Sequence, residues 1–186
     1  MTFSPTAVAG VFLIESPMLR DERGWFARSW CAEEFAAQGL NTEWPQGNTC
    51  YNATAGILRG MHLQLPPHEE IRLVRCVHGL VLDVIVDLRR DSPTYLASVA
   101  VELSGERMTG LYVPKGCAHG YLTLADHSTL VYQMSIPYHP ESGYGFAYDD
   151  PAFGLAWPRR DAYQMSQRDQ SFAPYDPEQF LFPYEG

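Results

Sequence analysis

The chain has 186 residues, 46% of them hydrophobic, with a formal net charge of −9 and a pI near 5.0. That length and apolar fraction support one domain, spanning 1–186, with a substantial core. The acidic balance argues against nucleic acid as a partner, since phosphate backbones are met by a broad basic excess. No apolar run reaches the roughly 20 residues of a membrane-spanning helix.

Turns come often, because 14 prolines and 15 glycines are spread along the whole length. In chain order, strands are predicted over residues 11–15, 24–30, 43–51, 56–64, 71–78, 80–88, 95–103, 110–113, 120–124 and 128–135. One helix is predicted over 32–38, stopped by Gly39. In VLDVIVDL, residues 81–88, Asp83 and Asp87 share a face, so this strand is expected to be central, with one face wet or lining a pocket. DLRRDSPTY, VELSGERMTG and VPKGCAHG supply turn chemistry. Many short strands, little helix and no repeat predict an all-β barrel or jelly roll with a few short helices. The proline-rich end, 149–186, is too apolar for disorder and too broken for strands, so it should pack on the barrel and lend it a functional residue, with Asp169 the candidate.

Cys31, Cys50, Cys76 and Cys117 form no CxxC pair, and the N-terminus shows no charged start followed by an apolar stretch. A cytoplasmic, reduced protein is expected. Cys76 and Cys117 sit in apolar runs and read as small buried hydrophobes.

The densest chemistry lies in LRGMHLQLPPHEEIRLVRCVHG, residues 58–79. His62 and Gln64 are two apart and share a strand face, with Arg59, Arg72 and Arg75 nearby. A base, an amide and cations in one barrel suit an anionic or carbonyl-bearing ligand. His62, His68 and His119 are each, taken singly, more often surface or hydrogen-bonded residues than catalysts. In cupin barrels, motifs like PKGCAH and HxH hold metal-binding histidines, but here Gln64, a poor ligand, takes the second position of the pair. A triad of His62, His119 and Glu70 is the alternative metal reading.

Eight segments in order, DERGWF (21–26), LRGMHLQ (58–64), RLVRCVHG (72–79), DVIVDLRRDSPTY (83–95), LYVPKGCAHGYLTL (111–124), VYQMSIPYHPE (131–141), DDPAFGLAWP (149–158) and SQRD (166–169), closely resemble the dTDP-4-dehydrorhamnose 3,5-epimerase family of metal-free cupins. The resemblance implies a cupin-type double-stranded β-helix that needs no metal or redox cofactor. It implies a homodimer that inverts C3 and C5 of a nucleotide-linked 4-keto-6-deoxyhexose through an enolate. By the same resemblance His62 is the base, Asp169 its hydrogen-bonding partner and Tyr132 the acid. Arg72 stands where the family generally has lysine and, with His119, would stabilise the enolate. Arg23 and Arg59 would meet the diphosphate. Gln46, Asn48, Phe26 and Tyr138 would line the nucleotide or sugar. Arg28 and Glu70 replace a common glutamate and a frequent glutamine. The rivals are a C3-only or C5-only epimerase, a metal-dependent cupin enzyme, and a sugar-nucleotide binding module.

Overall fold

The computed structural model describes residues 1–158 and 162–184. Two antiparallel sheets carry most of the chain. The first runs in the order β1 (Thr2–Pro5), β2 (Phe12–Glu15), β10 (Gly110–Val113), β7 (Arg72–His78), β12 (Ser128–Met134), β5 (Gln46–Asn52). The second runs β13 (Gly143–Gly145), β6 (Leu58–Gln64), β11 (Cys117–Thr123), β8 (Leu80–Asp87), β9 (Ser98–Ser104). Neighbours in the sheets are far apart in sequence, β7 between β10 and β12 for instance, which is the crossing pattern of a jelly-roll barrel. Between the two sheets lies a buried core to which both contribute, with Val74, Cys76 and Leu111 from one meeting Val81, Ile85 and Tyr121 from the other. Burial pushes the thiols of Cys76 and Cys117 above their ordinary range, so both behave as packing groups.

Each sheet also has a covered outer face. Helix α1 (Ala32–Ala36) presses Phe35 against Ile14, Leu73 and Tyr112 behind the first sheet. Behind the second, Phe146, Phe153, Tyr175 and Phe182 cover the outward residues Val84, Val86 and Leu88. Residues 149–158 and 162–184 supply most of this cover, and a short helix α2 (Gln167–Gln170) sits there at the edge of β6. Residues 159–161 and 185–186 of the predicted C-terminal segment lie outside the described residues.

Several boundaries differ from the sequence reading. The helix ends at Ala36, and strand β11 begins at Cys117 rather than 120, so His119 is a strand residue and not part of a turn. Hydrogen bonding along the whole of β8, with Cys117 opposite Asp87, draws the PKGCAH segment into the sheet. Strands β1, β3 (Met18–Asp21) and β13 were not predicted; each is short, and β13 forms because β6 offers it an unpaired edge. β3 pairs with β4 (Gly24–Ala27) in a separate two-stranded hairpin. β8 is flanked by β11 and β9 as expected, but neither of its acids is wet, since Asp83 and Asp87 are both fully buried.

Candidate active site

A cavity of about 460 Å³ opens between the sheets. Alternation along β5 turns Gln46, Asn48 and Cys50 inward, and on β12 it turns Leu130, Tyr132 and Met134 the same way. From the opposite wall come His62 on β6 and His119 on β11, which are direct cross-strand partners. Arg59 also lines the cavity although it is three positions from His62. The register between β6 and β11 shifts by one residue here, which breaks strict alternation and lets both side chains face inward. The shift is tight: a Cβ on Gly60, whose φ is +138°, would meet Gly120 Cα at 2.5 Å.

Asp169 reaches this wall from α2, and its Oδ1 lies 2.8 Å from His62 Nε2. The local sequence explains its placement, because the Ser166 hydroxyl caps the helix by accepting the Asp169 N–H at 3.0 Å. Burial works to raise the Asp169 carboxyl, but His62, the Gly60 N–H and Ser166 outweigh it and hold it below the usual range. An ionised carboxylate only accepts, so His62 carries its proton on Nε2 and keeps a bare Nδ1. Desolvation pushes the His62 imidazole below its ordinary value, against the pull of Asp169 and with help from Arg72 and His119. The ring is therefore neutral at neutral pH, the state a base requires.

A second histidine–aspartate pair sits behind the first: His119 Nε2 is 2.9 Å from Asp83 Oδ2. Arg72 comes from β7, with Nη1 donating to the His62 carbonyl at 3.3 Å and making a long contact of 3.5 Å with His119 Nδ1. Its Nη2 is ion-paired with Glu70. Glu70 in turn accepts the Gln64 N–H at 3.1 Å, so the guanidinium is held from behind. Burial raises the Tyr132 phenol, the opposite direction to His62, and keeps it protonated.

The rest of the expected set divides. Gln46 and Asn48 are joined at 3.1 Å, and Gln46 Oε1 accepts the Tyr138 N–H at 2.8 Å, so these three share one rim of the cavity. Arg59 Nε donates to Asn52 Oδ1 at 3.0 Å. Gln64 shares the His62 side of β6 but is spent on the backbone at His68, Pro137 and His139. Arg23 and Phe26 stand on the β3–β4 hairpin, outside the cavity of their own chain. The Arg23 side chain is 82% exposed and bound to Asp21, and Phe26 is 69% exposed. Arg28 is paired with Glu34. The metal triad does not assemble among the described residues: His62, His119 and Glu70 do not bring three ligand atoms within 4.8 Å of one another, and Glu70 is paired with Arg72. Arg75 is buried and does not line this cavity, donating instead to the Met108 carbonyl at 2.7 Å.

Sequence reasoning missed Asp83 as the partner of His119, though its inward face was legible from the strand period. It also missed Arg168, which lines the cavity and donates to the Gly143 carbonyl at 2.8 Å. Its signal was adjacency to Asp169 in SQRD.

Comparison with known proteins fits this layout. The family model for dTDP-4-dehydrorhamnose 3,5-epimerase matches residues 5–176. The enzyme of that name from Sinorhizobium fredii is 38% identical over 171 residues, 92% of this chain and 88% of that one. A crystal structure from Legionella pneumophila, solved with dTDP-4-keto-L-rhamnose, superposes with a TM-score of 0.92 at 32% identity, covering 100% of this chain and 99% of that one. A 3'-monoepimerase from Streptomyces bikiniensis in complex with dTDP-quinovose matches with a TM-score of 0.85 at 32% identity, covering 91% and 86%. With its jelly-roll barrel and a match over nearly its whole length, the chain belongs to the dTDP-4-dehydrorhamnose 3,5-epimerase family and is an isomerase by that membership.

Proposed function

We propose that the protein epimerises a dTDP-linked 4-keto-6-deoxyhexose at C3 and C5 by proton transfer alone. The observation that carries this reading is the placement of a neutral base, His62, on one sheet and a protonated phenol, Tyr132, on the other, with a cavity between them. Inversion at a carbon beside a ketone needs this arrangement. The C4 carbonyl acidifies the hydrogens on C3 and C5. His62 Nδ1 takes one of them, the electron pair moves to the carbonyl oxygen as an enolate, and Asp169 stabilises the imidazolium that forms. Arg72 supplies positive charge to the enolate oxygen. Tyr132 returns a proton to the carbon from the opposite face; the tyrosinate then recovers a proton from solvent and the His62 imidazolium releases one to it, so that both groups are reset. No electron is transferred to or from the protein, so the reaction calls for no redox partner.

The nucleotide falls to the rim of Gln46, Asn48, Tyr138 and Arg59, with a diphosphate suited to arginine. Arg23 and Phe26 fit this reading in a homodimer, where the hairpin of one chain reaches the cavity of the next. Its support is the exposure of Leu19, Trp25 and Phe26, apolar side chains that a partner would cover. In this reading a single domain carries the reaction, closed from residues 149–186 by Asp169. The four cysteines are free, as a reducing cytoplasm keeps them. No helix among the described residues is long and apolar enough to cross a membrane.

The test is incubation with dTDP-4-keto-6-deoxyglucose in deuterated buffer, following label at each carbon by NMR. Deuterium at both C3 and C5 supports the reading, and no exchange at either carbon overturns it. The similarity to the Streptomyces bikiniensis 3'-monoepimerase favours one second reading, inversion at C3 alone, for which label appears only there.

A further inference from the structure

Outside the cavity, His68, His139 and Glu141 each bring one ligand atom within 4.8 Å of the others, and no other such group of three occurs among the described residues. His68 lies between β6 and β7, while His139 and Glu141 belong to the connection between β12 and β13. The two imidazoles are stacked, with ring centroids 3.6 Å apart and planes within 6°. His68 Nδ1 is 2.9 Å from the Ser142 hydroxyl, and His139 Nδ1 is 3.2 Å from Glu141 Oε1.

The amide of Gln64 ties these residues together. It is 1% exposed and comes from the strand that carries His62. Its Oε1 accepts the His139 N–H at 2.5 Å, and its Nε2 donates to the His68 carbonyl at 3.0 Å. One buried side chain thus fixes the backbones of both histidines, leaving only side-chain rotation to be ordered by a ligand.

We propose that His68, His139 and Glu141 bind one divalent transition-metal ion of the zinc class, at a site separate from the proton-transfer cavity. Two imidazoles and a carboxylate with room for water are the donor set of Zn²⁺, Co²⁺ and Ni²⁺, whereas Ca²⁺ and Mg²⁺ favour oxygen ligands throughout. To ligate, the imidazoles turn out of their stack so that each in-plane lone pair points at the ion; both rings are only half-buried, which leaves room for that rotation. The ion would cross-link the loop after β6 to the connection that bears Tyr138. Tyr138 precedes His139, lines the cavity and lies so close to Gly143 that a Cβ there would meet its hydroxyl at 2.5 Å. Metal binding therefore pins one wall of the substrate cavity without supplying a group to the reaction.

The test is calorimetric titration of chelator-stripped, tag-free protein with zinc chloride, alongside visible absorption on adding cobalt chloride. One ion per chain and ligand-field bands of imidazole-bound cobalt are expected. His139→Ala and His68→Ala should each weaken zinc by about tenfold or more. Glu141→Gln, at a side chain 65% exposed and so harmless to folding, should weaken it in the same direction. His62→Asn should bind zinc like the parent chain. No saturation at millimolar zinc, affinity equal to that of the parent chain in the Glu141 and His139 variants, or loss of binding in His62→Asn would each overturn the site. None of these results depends on epimerisation, so failure here is distinguishable from failure of the deuterium-exchange reading.

Discussion

Asp169 Oδ1 lies 2.8 Å from His62 Nε2 although 107 positions separate the two residues. The strand supplies an imidazole with a half-buried ring, and the distant segment supplies the charge that fixes its tautomer. In the proposed scheme neither makes a base alone: without the carboxylate, either ring nitrogen can carry the proton, and the burial that already depresses the imidazole goes unopposed.

Replacing His62 with alanine should therefore lower turnover by about 10²–10⁴-fold, the usual worth of a positioned general base. Deuterium uptake should fall with it at every carbon the parent labels. Nucleotide affinity, measured with dTDP by calorimetry, should stay within a few fold, because His62 makes no phosphate contact in this scheme. Retained exchange would remove His62 from its role.

The pH profile carries a sign. Desolvation lowers the His62 value, so the base loses its proton below the ordinary imidazole value of about 6.5. The acid limb of kcat/KM should sit under that value, with activity rising as pH rises through it. Asp169→Asn removes the interaction that pulls the value up, so its residual activity should show an acid limb displaced still lower. A limb displaced upward would contradict the electrostatic assignment.

Tyr132→Phe should separate two events. The substrate carbon can still lose its proton to His62 and regain deuterium on the same face, while delivery to the opposite face is impaired. NMR should show exchange exceeding inversion, and equal loss of both would count against the phenol as acid.

Arg72, whose side chain is 13% exposed, is ion-paired with the buried Glu70 beside the enolate position of the proposed scheme, and their variants should differ in kind. Arg72→Lys keeps the charge and should cost less turnover than His62→Ala or Tyr132→Phe. Glu70→Gln leaves a largely covered guanidinium without its counter-ion and should lower stability by less than the about 3–5 kcal/mol of a fully buried pair. Denaturant unfolding reads the second effect and initial rates the first.

Asp87 offers a structural contrast on the same strand face as Asp83. It binds Arg89 at 2.7 Å, Ser92 at 2.6 Å and Thr94 at 2.7 Å, all away from the cavity. Burial works to raise its carboxyl, but these partners hold it low. Its contribution is thus present above the unfolded carboxylate value and lost as pH falls through the depressed folded one. Asp87→Ala should lower stability by about 3–5 kcal/mol, measured by denaturant unfolding, with a smaller loss at acidic pH.

The alternation in LRGMHLQ and VLDVIVDL was enough to assign strands, because a two-residue period is imposed by the backbone wherever one face is buried. It placed Asp83 and Asp87 on one face correctly, yet it could not say that one holds His119 and the other Arg89. Period-two reasoning also fails at Arg59 and His62, where the register shift against β11 turns both inward. Strand β13 was invisible because Gly-Tyr-Gly has little strand propensity of its own and is recruited by a neighbouring edge.

By itself, then, the amino-acid order determined an all-β barrel, the helix that begins at Ala32 and the family through eight ordered motifs. Those features are local, and short-range periodicity and side-chain chemistry write them directly into the chain. The tertiary structure alone decided which carboxylate meets which histidine, that Arg72 is braced by Glu70, and that Arg23 and Phe26 stand outside their own cavity. Such pairings depend on sheet order and register, which arise from long-range closure of the barrel and leave no mark on any single segment.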